Sequence, residues 1–153
     1  MPSKLGQNFL INKSKLRKIA EALELKSSDT VIEIGPGHGE LTREIIEKSE
    51  QGKVIAIEKD NKLVVLLREK FGKNENVKII EGDALKIIPK LFSFPSSLST
   101  KIAGNIPYYI TGYLFRILGE LKNKPSLIVL TIQREVAERV SAKPPEMNLL
   151  AAS

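Results

Sequence analysis

Four short stretches each end a β-branched apolar run on residues suited to holding a ligand. Gly35, Gly37 and Gly39 follow VIEI in EIGPGHGELT, Glu58 follows VIAI, Asp83 lies just past VKII in EGDAL, and Asn105 follows KIAG in GNIPYY. Glycines let a backbone approach a ligand closely and can open a helix whose first amides face it. Glu58 comes about twenty residues after the last of these glycines, the spacing at which an acid bonds ribose hydroxyls. Asp83 could accept from an adenine amine or cap the helix that follows, and capping is the commoner role for Asp there. In GNIPYY, Pro107 removes a backbone donor and biases Ile106 toward extended geometry, so the strand should not pass directly into a helix. The plain reading of that hexapeptide is a rigid turn.

The glycine spacing narrows the ligand. It reads G-x-G-x-G, without the third glycine three residues after the second that a hydride-transfer dinucleotide site carries. Glu33 and Glu40 flank the loop with carboxylates, which suit a ligand bearing cations, such as the ammonium and sulfonium of an adenosyl-sulfonium compound, better than a pyrophosphate. His38, the single histidine, sits inside the glycine loop and reads as loop filler rather than as a general base. With no cysteine there is no disulfide or thiolate zinc site, and no metal-binding set stands out.

Positioning these groups requires alternating strands and helices. A basic amphipathic helix is expected over Lys13 to Leu23, with Leu16, Ile19, Ala20 and Leu23 on one face. Strands are expected at Thr30 to Ile34, Lys53 to Ile57, Val77 to Ile80, Lys101 to Gly104 and Leu127 to Ile132. They lack the polar alternation of a one-sided sheet, so both faces should be covered. Helices are expected at Leu41 to Lys48, Asn61 to Phe71, Leu85 to Leu91, Gly112 to Leu121 and Arg134 to Val140. The result is a doubly wound α/β fold with a parallel sheet, whose strand ends converge at a topological switch point. FSFPSSLST, residues 92 to 100, reads as a surface loop.

The 153 residues are 42% hydrophobic and 27% charged, a make-up that excludes disordered and fibrous classes. A formal charge of +6 favours polyanionic partners, and Lys4, Lys13, Lys15, Arg17 and Lys18 form a basic region that could meet phosphates or simply solvent. No signal-like or membrane-length apolar run occurs, so a cytoplasmic location is expected.

LGQNFL, EIGPGHGELT, IEKD, GDAL, GNIPYYIT and QREVAERVSAKP, in that order, resemble the KsgA-type rRNA adenine dimethyltransferases, relatives of the Erm methyltransferases. The resemblance runs to about Pro144. It implies a Rossmann-like class I methyltransferase fold and S-adenosylmethionine as cofactor. It also implies dimethylation of N6 on two adjacent adenines near the 3′ end of small-subunit rRNA, in a pre-30S-type particle, by a monomer. Carried onto this sequence, Asn8 and Leu10 would touch the cofactor, Gly35 and Gly37 would line its methionine side, Glu58 its ribose and Asp83 its adenine amine. Asn105 would lie at the reacting centre.

In that setting GNIPYY gains a role. An exocyclic adenine amine is a poor nucleophile because its lone pair is delocalised into the ring. The Asn105 carbonyl and the backbone carbonyls near Ile106 and Pro107 would accept its hydrogens, Pro107 would stiffen the backbone, and Tyr108 would stack on an extruded base. Tyr109 packs either on the sheet or on the substrate. The family's remaining strands and its helical RNA-contacting domain are expected to be absent from these 153 residues, leaving a hydrophobic edge at the fifth strand. An Erm-like enzyme acting on large-subunit rRNA, a non-catalytic assembly factor and a nicotinamide-linked dehydrogenase are the competing readings.

Overall fold

The computed structural model describes residues 12–49, 51–94 and 99–143. Asn8, Leu10, Lys4 and the segment from Pro144 onward lie outside them. Strands and helices alternate as α1 (Lys13–Ala22), β1 (Thr30–Ile34), α2 (Glu40–Lys48), β2 (Lys53–Glu58), α3 (Asn61–Phe71), β3 (Val77–Glu81), α4 (Ala84–Leu91), β4 (Thr100–Asn105), α5 (Tyr108–Glu120), β5 (Leu127–Thr131) and α6 (Arg134–Val140). The five strands are parallel in the order β3-β2-β1-β4-β5. Strand order therefore reverses between β1 and β4, and the switch point falls at their carboxyl ends.

β1 shows why this sequence makes a two-faced sheet. Val31, Ile32, Glu33 and Ile34 are all buried, so alternate residues feed two separate cores. Val31, with Val54 and Ala103, packs beneath Leu16 and Leu23 of the α1 segment and Leu41 and Ile45 of α2. Ile32 and Ile34, with Ile57 and Ile102, pack beneath Ile88 of α4 and Leu114 and Leu118 of α5. Helix starts are fixed by short polar side chains: Asn12 Oδ1 accepts from Lys15 N at 3.1 Å, and Asp60 Oδ1 from Lys62 N at 2.8 Å. β5 occupies the sheet edge, with Ile128 exposed.

The expected elements are all present, with one substantial shift. α5 begins at Tyr108 rather than Gly112, because Pro107, at φ −60° and ψ 140°, serves as its N-cap residue. The proline restrains the chain only up to Ile106, and the helix starts immediately after it. Its first turn is closed by Ile110 N and Thr111 Oγ1, which donate to the Pro107 carbonyl at 3.2 and 3.0 Å. The surface-loop expectation for residues 92 to 100 also needs amending at its start, since Phe92 is buried against the α4–α5 core and its carbonyl accepts from Asn123 Nδ2 at 2.9 Å.

One contact in the fold runs against its sequence context. Lys101, at the start of β4, is buried, and its Nζ donates to Asp29 Oδ2 at 2.8 Å and to the carbonyls of Leu23 and Glu24 at 2.7 Å each. It thereby caps the carboxyl end of α1, where Glu24 takes a left-handed conformation at φ 47°.

Candidate functional site

Backbone bonds extend the ladder past the strand ends and fix the loops around one crevice. Gly35 N donates to Ile57 O at 2.9 Å, Gly82 N to Glu58 O at 2.8 Å and Ile106 N to Thr131 O at 2.9 Å. The crevice is a cavity of about 290 Å³. Gly35, Gly37, Glu58, Asp83, Asn105, Pro107 and Tyr108 all line it, so the structure brings together the described residues assigned to the cofactor and the reacting adenine, while Gly39 and His38 stay outside the lining. Asn8 and Leu10 lie outside the described residues.

Glu58 is not the solvated strand-end charge that its position alone would permit. It is buried, with Oε2 accepting from Gly37 N at 3.2 Å and Oε1 from the amides of Lys59 and Asp60 at 2.8 and 2.9 Å. These bonds aim the carboxylate across the glycine loop. Asp83 divides its two oxygens: Oδ1 caps α4 through Leu85 N at 3.0 Å, and Oδ2 faces Lys59 Nζ at 3.4 Å. The capping reading and the ligand reading therefore concern different oxygens of one side chain. Around Asn105, the Pro107 carbonyl is already taken up by the first turn of α5, which removes it from the set of acceptors expected for a substrate amine.

The glycine loop provides a test of fit to an adenosyl ligand. Gly35 and Gly37 have φ of 63° and 61°, and a Cβ built at Gly35 meets nothing within 4 Å, so it would project into open space where a ligand can approach the backbone. Gly39, at φ 87°, serves the fold instead, because a Cβ there would stand 2.4 Å from Phe71 Cε2. Gly35→Ala is expected to cost about 1 kcal/mol of backbone strain yet weaken adenosyl-ligand binding, whereas Gly39→Ala should cost about 2 kcal/mol through strain and overlap. Denaturant melts and calorimetry on the two variants check this. Equal stability losses would overturn the division of labour.

Glu33 is fully buried on the cavity wall, and its Oε2 accepts from Thr42 Oγ1 at 2.7 Å. Burial pushes its carboxyl up to about 7; the bonds from Thr42 oppose that rise, and the charges of Glu40 and Glu58 add to it. His38 does not line the cavity, and its carbonyl accepts from Lys70 Nζ at 2.8 Å, in keeping with a loop role.

Sequence reasoning missed several wall residues. Leu16 reaches the cavity from α1, and Thr131 and Ile132 close it from the end of β5, together with Gln133, which the sequence placed in the turn after that strand without assigning it a contact. Tyr109, left between sheet and substrate, lines the cavity half-exposed and stands edge-on to Tyr108, with ring centroids 5.9 Å apart and planes at 87°.

A parallel sheet of this order, with a glycine loop after β1, an acid at the end of β2 and a polar residue ending β4, defines a class I S-adenosylmethionine-dependent methyltransferase. The fold agrees with solved members of that class, including a precorrin-6y C5,15-methyltransferase from Geobacter metallireducens at TM-score 0.67 and 13% identity, covering 88% of this chain and 70% of that one. More specifically, the chain belongs to the ribosomal RNA adenine dimethylase family, which it matches over residues 1–149. It is 45% identical over 149 residues to ribosomal RNA small subunit methyltransferase A of Dehalococcoides mccartyi, covering 97% of this chain and 50% of the relative. The Clostridium botulinum protein of the same name is 44% identical over 142 residues, covering 92% and 50%. A dimethyladenosine transferase from Plasmodium falciparum superposes with TM-score 0.76 at 30% identity, covering 94% of this chain and 49% of that one. The 23S rRNA methyltransferase ErmE superposes with TM-score 0.71 at 31% identity, covering 86% and 50%. The chain spans about half the length of these relatives.

Proposed function

We propose that these residues form the cofactor-binding and methyl-transferring part of an rRNA adenine N6,N6-dimethyltransferase acting on two adjacent adenines of small-subunit rRNA. The observation that carries this reading is the shared cavity that the buried Glu58, Asp83 and the Asn105-Ile106-Pro107-Tyr108 turn all line. S-adenosylmethionine, when bound, supplies the electrophilic methyl group. Glu58 suits the ribose hydroxyls, Asp83 Oδ2 the adenine amine, and Gly35 and Gly37 the methionine end, with Asn8 and Leu10 assigned to the same ligand. At the far side, the Asn105 carbonyl accepts a hydrogen of the target amine and so localises its lone pair, while Tyr108 stacks on the extruded base. No strong base is required, because the amine's proton becomes acidic once the nitrogen is alkylated and leaves to water. Orientation and exclusion of water supply most of the rate.

The substrate belongs to a pre-30S-type particle in the cytoplasm, and the protein works as a monomer whose helical RNA-contacting domain corresponds to the half of the relatives that these residues do not span. Among the described residues no helix is long and apolar enough to cross a membrane. The 45% identity to a small subunit methyltransferase A, against 31% to the 23S rRNA methyltransferase ErmE, favours the former substrate.

Calorimetry is the direct test. S-adenosylmethionine and S-adenosylhomocysteine should bind with no comparable heat from NAD, and Glu58→Ala should weaken binding by about 1.5–3 kcal/mol, the scale of charge-assisted hydrogen bonds. Unchanged affinity in a folded Glu58→Ala protein removes Glu58 from the site. Methyl transfer to small-subunit but not large-subunit particles, measured on a chain extended to the relatives' length, tests the substrate.

A further inference from the structure

The cavity wall around the glycine loop carries three carboxylates, Glu33, Glu40 and Glu58; Glu33 and Glu58 are both buried, Glu58 accepting from three backbone amides and Glu33 from Thr42. The groups packed against Glu33 are uncharged or acidic. Neighbouring strands place Ala56 and Ala103 beside it, α1 contributes Leu16 to the same wall, and α2 contributes Thr42 and Glu40. Cations from nearby elements are turned elsewhere: Lys70 of α3 bonds the His38 carbonyl, Lys59 faces Asp83, and Arg17 of α1 faces Glu44 at 3.8 Å on the outside. A buried carboxylate with no cationic partner is costly, and the cost is relieved either by holding a proton or by admitting a cationic ligand.

We propose that Glu33 reads the charge of the cofactor: it is a neutral acid bonded to Thr42 in the free protein, and it gives up its proton to solvent when a cationic ligand enters. The pocket then favours the sulfonium cofactor over its thioether product, which keeps the ammonium but lacks the sulfonium charge. The carboxyl O–H bond breaks, the proton passes to the buffer, and the Thr42 hydroxyl keeps its bond to the resulting carboxylate. The proposal rests on the adenosyl-ligand reading of the cavity. The raised titration of Glu33 supports it, because a group that titrates near 7 is poised to switch at neutral pH.

The test is calorimetry of S-adenosylmethionine and S-adenosylhomocysteine at pH 7 in phosphate and in Tris, buffers whose ionisation heats differ widely. For the wild type, S-adenosylmethionine should release a substantial fraction of a proton and S-adenosylhomocysteine less. Protonation changes of the ligand's own amine occur equally in Glu33→Gln, so the difference between wild type and variant isolates Glu33. Glu33→Gln should abolish the difference in proton release between the two ligands and reduce the preference for the sulfonium ligand about tenfold at pH 8. Thr42→Val, which removes a bond favouring the ionised form, should shift the release to higher pH and provides a second variant should Glu33→Gln fold poorly. Proton release that is the same in wild type and Glu33→Gln, or equal for the two ligands, overturns the proposal while leaving the cofactor assignment intact. Absence of heat with either ligand overturns both.

Discussion

Replacing Asn105 with alanine in a protein of the relatives' full length is expected to lower methyl transfer to small-subunit particles by on the order of 10²-fold, with cofactor affinity falling far less. The magnitude is that of removing one preorganised polar contact from a water-excluded site. The reasoning is positional. Asn105 is the last residue of β4, paired in register with Thr131, and the turn after it is pinned by Ile106 N to Thr131 O at 2.9 Å. Its backbone is therefore held by the sheet, on the wall of the cavity that Glu58 and Asp83 also line. An acceptor held there strengthens its contact as the amine becomes tetrahedral, and such contacts act on turnover more than on ground-state binding. Tyr108→Ala removes a stacking surface worth about 1–3 kcal/mol per base and should follow the same pattern. Its ring is 63% exposed at the start of α5, so little stability should be lost with it. Dimethyladenosine yields near wild type in both variants would reduce GNIPYY to a rigid turn.

The fold was legible because its strands are buried on both faces and so appear as short unbroken apolar runs, each ending on a conspicuous residue. Glu58 and Asp83 stood out for a related reason: Glu58 directly follows VIAI, and Asp83 comes one glycine after β3 ends, so both are positioned by strand ends. What could not be read was anything that depends on two distant segments meeting. Asp83 looked like a choice between cap and ligand, and only the structure shows that capping occupies Oδ1 while Oδ2 faces Lys59. The start of α5 was placed one turn late because Tyr108, Tyr109, Ile110 and Thr111 are weak helix formers, and the bond from Thr111 to the Pro107 carbonyl that closes the first turn has no local signature. Leu16 of α1 and Gln133, just before α6, reach the cavity from positions more than a hundred residues apart in the chain, which no periodicity reveals.

Lys101 is the clearest case of a residue whose context misleads, and its replacement carries the largest expected cost to stability. In KIAG a lysine reads as the solvated first residue of a strand, yet its ammonium is bonded to Asp29 and two carbonyls in the interior. Lys101→Met should destabilise the protein by about 3–5 kcal/mol, because it leaves the Asp29 carboxylate buried without its cation and uncaps α1. The pH dependence gives a signature that lost packing cannot imitate. For Asp29, burial is the largest single influence and raises its titration, but the bond from Lys101, the Lys26 amide, the Ser99 side chain and the Lys101 charge together bring it below 3.8. A depressed carboxyl contributes stability above its unfolded value that is lost as pH falls through the folded one. Without Lys101, burial dominates and the sign reverses, so that the variant now loses stability as pH rises past about 4. The gap between wild type and Lys101→Met should therefore be wider at pH 7 than at pH 4 in denaturant melts. Adding Asp29→Asn to the variant should recover part of the loss at pH 7, since a neutral amide costs less to bury than an unpaired carboxylate. A gap that is constant with pH and unaffected by the second substitution would show that Lys101 acts through its aliphatic stem alone.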